Sequence, residues 1–457
     1  MSKFGKFGFL VAACLAAGVL AACGGGGGSS GNAGPGDGGV NPNLLLTLPE
    51  PGLKPAQLAV LVAEGDALSE AVGAAYVQAR GVPAANLIRV PGLNAAQHDI
   101  SAADFANVRA SVLARLPAGV QATLITWAAP SRVLGVCRMG ITSAMAFGFD
   151  PAYCAANSPS DSTRLSPYFD SESLTPQANH GMRPSMMLGA TSLAQAQALI
   201  DRGKLADGSA PAGTGYLVRT SDPFRNARAT TDFHRLPALW AGTLALEYLD
   251  RPANDLLVGK ADVLFYFTGL ASVGSLNTLS FRPGAVADHF TSFGGRLPDG
   301  NGQMPITRWL EAGATASFGT VEEPFGFTEK FPEVGVLLNH YLRGNTLIEA
   351  YWKSVKMPGQ GLFIGEPLAR PFPKQQVLSI ESNQYRLRSG ALRADTRYAL
   401  EYRSSAGTWV ELGNVRGVRG QAVDVRFPLA PASAQALRWR GPCPGDVSAA
   451  CTLAESP

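Results

Sequence analysis

Charge is scarce in this 457-residue chain, since only 16% of residues are Asp, Glu, Lys or Arg, and neither sign dominates. A nucleic-acid polycation, an acidic tail and a charge-rich disordered chain are excluded. Histidine is scarcer still: His98, His180, His234, His289 and His340 are widely scattered. None has the spacing of a zinc ligand pair, and no P-loop, HExxH or EF-hand spacing occurs. No cofactor is expected, and spacing says nothing for or against a calcium site built from loop carboxylates. No cysteine lies between Cys154 and Cys443. A thiol nucleophile in that stretch is ruled out.

The first residues supply an address. Lys3 and Lys6 precede the apolar run Phe7 to Leu20, too short to cross a bilayer and of the right length for a secretory leader. It ends Leu20-Ala21-Ala22-Cys23, the small-residue box cut before a lipid-modified cysteine. Residues 1–22 therefore read as a lipoprotein signal peptide and Cys23 as the lipid attachment point, with the membrane as first partner. Gly24 in the next position favours the outer membrane of a Gram-negative cell. Residues 23–43, rich in Gly, Ser, Asn and Pro, read as a flexible tether. Within it Gly34 to Gly39 matches GxGxxG, but no strand precedes it and no helix follows, so no dinucleotide site is implied.

Four cysteines remain for the exported body: Cys137, Cys154, Cys443 and Cys451. Three pairings are open; Cys137 with Cys154 and Cys443 with Cys451 need the least loop closure.

From Leu58 an apolar run followed by an amphipathic stretch repeats. Strands are expected at Leu58 to Ala63, Asn86 to Val90, Gln121 to Trp127, Ala261 to Phe267, Thr315 to Gly319 and Gly361 to Gly365. Helices are expected at Leu68 to Arg80, Ser101 to Leu116, Pro283 to Phe293, Ile306 to Ala312, Phe331 to Tyr341 and Leu347 to Val355. The alternation implies an α/β body, residues 44–376, with a mostly parallel sheet covered by helices on both faces. Residues 128–235 are loop-rich, with a helix at Ser192 to Arg202 and a strand at Gly215 to Arg219. From 377 to 457 the period changes to two, predicting a small β-sandwich-like module with ten arginines, no lysine and seven acidic residues. That excess suits either anionic glycans or an ordinary solvated surface.

The segments Arg282 to Gly295, Trp309 to Thr315, Gly319 to Pro324, Glu349 to Ser354 and Gly365 to Ala369, with the opening Leu58 to Pro91, resemble an uncharacterised family of exported bacterial proteins over nearly all of residues 55–373. That resemblance carries no activity with it. The order of strand 261–267, glycine-containing turn, helix, Gly-Ala strand and closing Gly-Glu-Pro-Leu more distantly resembles the caspase-like clan that includes the gingipains. The resemblance implies a caspase-like fold, with a histidine in the first turn and a cysteine after the next strand. Here that turn is Thr268-Gly269-Leu270-Ala271-Ser272, and the thiol is absent. The clan's peptidase mechanism is therefore not expected.

The remaining candidates are non-thiol groups. On the expected helix, His289 and Ser292 share a face, while the neighbours Asp288 and His289 do not. Glu322 and Glu323 follow a strand's carboxyl end, where open α/β sheets bind ligands, or simply pair with Arg282, Arg308 or Lys330. Asp232 and His234 alternate like strand neighbours, or Asp232 pairs with Arg235. Ser272 sits one residue off the nucleophile-elbow spacing and reads as a turn hydroxyl. Two functions follow: a binding or scaffold protein taking a peptide, glycan or envelope partner, or a hydrolase using His289, Asp288, Glu322, Glu323 and His234. No nucleic-acid partner is expected.

Overall fold

The computed structural model describes residues 39–154 and 162–457; the leader, Cys23 and Gly24 lie outside the described residues. In chain order the body runs β1 (Leu58–Ala63), α1 (Ala67–Arg80), β2 (Leu87–Val90), β3 (Asp99–Ser101), α2 (Ala102–Leu113), β4 (Ala122–Ile125), β5 (Arg132–Leu134), β6 (Arg138–Gly140), α3 (Ile141–Phe147), α4 (Pro176–His180), β7 (Ser185–Met187) and α5 (Leu193–Ala206). It continues with β8 (Thr214–Arg219), α6 (Ala227–Thr231), α7 (Leu236–Leu239), β9 (Ala245–Asp250), β10 (Val263–Thr268), β11 (Phe281–His289), α8 (Thr307–Ala312), β12 (Ala316–Thr320), α9 (Val334–Leu342), α10 (Leu347–Ser354) and β13 (Gly361–Gly365).

Local chemistry sets these elements. The Asp66 carboxylate accepts from the Ser69 amide and opens α1, and Gly81 closes it at φ 64°. Val72 and Tyr76, one turn apart, give α1 its buried face. Every residue of β1 is buried, as a strand covered on both faces requires.

Ten strands form one sheet in the order β2-β1-β4-β7-β13-β12-β11-β10-β8-β9. β13 runs antiparallel to β12, whereas β2-β1-β4-β7 and β12-β11-β10-β8-β9 are each joined in parallel. Phe265 of β10 meets Tyr341 of α9 edge-on at 6.4 Å, while its neighbour Tyr266 meets Trp309 of α8 at 5.1 Å. Consecutive strand residues point to opposite faces, so helices cover both. Glu322, just past β12, lies 3.5 Å from Arg132 beyond β4, which brings the carboxyl ends of these two strands to the same side.

The segment expected as a helix at Pro283 to Phe293 is instead strand β11 and the turn after it. Its Ala285-Val286-Ala287 core is short and apolar all round, which fits a buried strand between β10 and β12 as well as a helix. Gly284, at φ 84°, starts the run in a conformation that a helix interior does not use. The loop-rich stretch also supplies a sheet strand, β7, that the sequence pattern hides. Asp232 and His234 lie not on a strand but in the helical segment after α6.

The chain ends in seven antiparallel strands: β14 (Gln376–Glu381), β15 (Gln384–Ser389), β16 (Arg397–Arg403), β17 (Trp409–Arg416), β18 (Val423–Pro428), β19 (Ala436–Cys443) and β20 (Asp446–Glu455). They make a three-stranded and a four-stranded sheet. Tyr385, Leu387, Leu400, Leu437 and Trp439 fill one core between them, joined by Leu46 and Leu48 from ahead of β1. Six of the ten arginines, Arg386, Arg388, Arg393, Arg397, Arg438 and Arg440, pair with carboxylates. Cys137–Cys154 and Cys443–Cys451 are disulfides, which fits an oxidising compartment outside the cytoplasm. No helix among the described residues is long and apolar enough to cross a membrane.

Candidate functional site at the carboxyl ends of the strands

Beyond β8, β11 and β12 the chain turns back on itself and leaves a cleft of about 470 Å³, lined by Phe224, Arg225, Thr291, Ser292, Glu323 and Phe325 among others. The turn after β8 is tied by Asn226, whose Oδ1 accepts from the Thr220 amide at 2.8 Å, and by Thr220, whose hydroxyl donates to the Gly269 carbonyl at 2.7 Å. Gly269 is required there: a Cβ would sit 1.9 Å from the Arg225 carbonyl oxygen. The Asp222 carboxylate accepts from the Phe224 and Arg225 amides, both at 3.0 Å, and from Arg225 Nη1 at 2.7 Å. Arg225, its amide and its neighbours hold that carboxyl below the usual range although burial opposes them.

This turn leaves the Phe224 ring 83% exposed. Beyond β12, Phe325 sits at φ 52°, its amide donating to Glu323 Oε1 at 3.1 Å, and its ring is 52% exposed. Two large apolar rings in water at one cleft are unusual for a solvated surface. Between them, Arg225 Nε donates to Thr291 Oγ1 at 3.1 Å, and that hydroxyl donates to Gln303 Oε1 at 2.7 Å.

Asp288 and His289, as strand neighbours, point to opposite faces. Asp288 accepts from Arg228 Nη2 at 2.6 Å, and both are buried. The guanidinium lies 5.4 to 5.9 Å from the ring centres of Phe233, Phe267, Phe290 and Phe331. Burial pushes the Asp288 carboxyl above its usual range against the pull of Arg228. His289 accepts from Trp309 Nε1 at 3.0 Å on Nδ1, which fixes Nε2 as the protonated nitrogen, donating to the Met304 carbonyl at 3.1 Å. Burial drives its pKa down to about 3. The imidazole is neutral with both nitrogens engaged, so it offers Ser292 no base. The expected helical face shared by His289 and Ser292 does not exist.

Glu322 pairs with Arg132 at 3.5 Å and Arg138 at 3.3 Å. His234 is exposed beside Tyr248, with ring centres 6.5 Å apart. Asp232 is 3.7 Å from Arg235, and burial followed by the nearby Glu333 raises its pKa. Of the five expected groups only Glu323 lines the cleft. Sequence reasoning missed Phe224, Arg225 and Phe325; the available signal was the dipeptide Pro-Phe following two strand ends, at Pro223-Phe224 and Pro324-Phe325. Among the described residues no group of three His, Cys, Asp or Glu side chains could hold a metal ion.

The strand after β10 is β11, and the turn beyond it reads Phe290-Thr291-Ser292. No family model and no curated protein matches the chain. A solved structure titled "Structure of Protease" aligns over 89% of this chain and 98% of its own at 11% identity, with a TM-score of 0.33. That score is too low to support an inference about fold or activity.

Proposed function

We propose that the chain is a lipoprotein of the bacterial cell envelope, anchored through Cys23 in the outer membrane, that binds an apolar peptide segment at the sheet mouth and does not cleave it. One observation carries the reading: Phe224 and Phe325 stand exposed on a cleft whose only serine, Ser292, has no imidazole to activate it. Exposed aromatic rings are the anchors around which peptide recognition is built. The hydrolase reading needs a base within hydrogen-bond reach of a nucleophile. His289 is spent on Trp309 and Met304, Glu322 on two arginines, and Glu323, which shares the cleft with Ser292, accepts from the Phe325 amide. The caspase-like resemblance is compatible with this reading as a fold that has kept its cleft without its dyad.

The test is anisotropy of a fluorescein-labelled hexapeptide of alternating leucine and serine, titrated with the full chain. Saturable binding that weakens at least tenfold in Phe224→Ala and in Phe325→Ala is expected. Equal binding by both variants would refute the site.

A further inference from the structure

A second, larger cleft of about 690 Å³ opens at the opposite end of the sheet, where the β-module meets the amino ends of β8 to β11. The joint that creates it is rigidly made. Glu172 of the body accepts from Arg343 Nη2 at 2.6 Å and from Arg393 Nε of the module at 2.8 Å, and Asp170 accepts from Arg393 Nη2 at 2.8 Å. Further along the seam, the Arg419 guanidinium of the module lies 4.7 Å from the ring centre of Trp240 of the body. Gly420 has no room for a side chain, because a Cβ would meet Thr243 Oγ1 at 2.3 Å. The walls are therefore held by contacts at both ends.

Charge inside the cleft is unbalanced. Arg282 and Lys374 of the body and Arg419 of the module line it, and none has an ion-pair partner among the described residues. The single lining carboxylate, Asp262, is occupied by the Thr214 hydroxyl at 2.6 Å and the Tyr216 hydroxyl at 2.8 Å. Two of the three cations come from one domain and one from the other, so they converge only because the domains are docked. Of the four module arginines outside the ion pairs, Arg403, Arg416, Arg419 and Arg426, only Arg419 lines this cleft. The Trp240 ring N–H, in the same wall, is buried without an acceptor.

We propose that this seam cleft binds an acidic oligosaccharide. Its cations would neutralise carboxylate or sulfate groups along the chain, and Thr243 and Gln421 would meet sugar hydroxyls. An acidic peptide would meet the same cations, but the Thr243 hydroxyl and the Gln421 amide beside them match the many hydroxyls of a sugar chain, and the test below separates the two.

The test is titration calorimetry of the full chain with a galacturonate hexamer, a sulfated heparin-type hexasaccharide, uncharged cellohexaose and hexaglutamate. At least one acidic hexasaccharide should bind at least tenfold more tightly than cellohexaose and hexaglutamate, with affinity falling as salt rises. The acidic hexamer that binds identifies carboxylate or sulfate as the recognised group. Arg282→Ala and Lys374→Ala, which break no ion pair of the fold, should each weaken that binding at least fivefold while the melting temperature holds. Failure of both acidic sugars, tighter binding of hexaglutamate, or unchanged affinity in both variants would overturn the proposal.

Discussion

The two ends of the sheet spend their charges in opposite ways. At the carboxyl ends three ion pairs absorb most of the charge, Arg225 with Asp222, Arg228 with Asp288, and Glu322 with Arg132 and Arg138; at the cleft itself stand the apolar pair Phe224 and Phe325 and the Glu323 carboxylate, which accepts from the Phe325 amide. At the amino ends, three cations unpaired among the described residues face a cleft with a single carboxylate, Asp262, which accepts two hydroxyls and keeps its charge. One end is equipped for apolar contact and the other for anions. Removing one member of a buried pair strands a desolvated charge, whereas the solvated cations of the cleft remain free to meet an anion.

The largest effect should come from breaking a pair at the mouth. Asp288→Ala strands the Arg228 guanidinium among four phenylalanine rings and should cost about 3–5 kcal/mol, read by urea denaturation. A loss under about 1 kcal/mol would mean that the aromatic cage alone satisfies the cation.

Next is pH. His289, with its folded pKa at about 3, stays neutral in the fold while the unfolded chain takes up a proton below about 6.5. Its contribution is intact above pH 6.5 and is lost as pH falls toward 3, by about 3 kcal/mol at pH 4. His289→Gln keeps a donor and an acceptor but cannot titrate, so its stability curve should be flatter between pH 6.5 and 4. Identical slopes in both proteins would contradict the assigned environment. At the seam, hydrogen bonds and charge from His340 and Arg393 outweigh burial and hold Asp170 low, and Arg343 and Arg393 do the same for Glu172. Those carboxylates add stability above their unfolded pKa values of about 4, and it is lost as pH falls through the lower folded values.

A smaller loss, about 2–3 kcal/mol, is expected for Arg393→Ala, which leaves Asp170 and Glu172 short of a partner. Calorimetry should then separate the melting of module and body. A single unshifted transition would show that the seam is held by other contacts. The smallest change should be at the rim: Phe224→Ala and Phe325→Ala should stay within about 0.5 kcal/mol of the parent in stability.

Much of the architecture was legible because buried strands and capped helices write their period locally. Leu58 to Ala63 is an unbroken apolar run, and Ser101 caps α2 by accepting from the Asp104 amide. Of three open disulfide pairings, the structure has the one that needs the least loop closure. Strand β11 was misread because a short alanine-rich segment carries no period, and its strand state comes from being sandwiched between β10 and β12. That one error moved His289 from a helix face beside Ser292 to a buried strand position against Trp309. The site itself depended on tertiary encounters: Arg132 and Glu322 are far apart in sequence, and nothing local announces that they meet. Phe224 and Phe325 look like ordinary loop residues until both rings are found at one cleft.

The most direct test is to hold the full chain with saturating leucine-serine hexapeptide and follow the peptide by mass spectrometry. Bound peptide recovered intact, with binding lost in Phe224→Ala, is the expected result. Cleavage products from the parent that vanish in Ser292→Ala would contradict the account and make the mouth an active site.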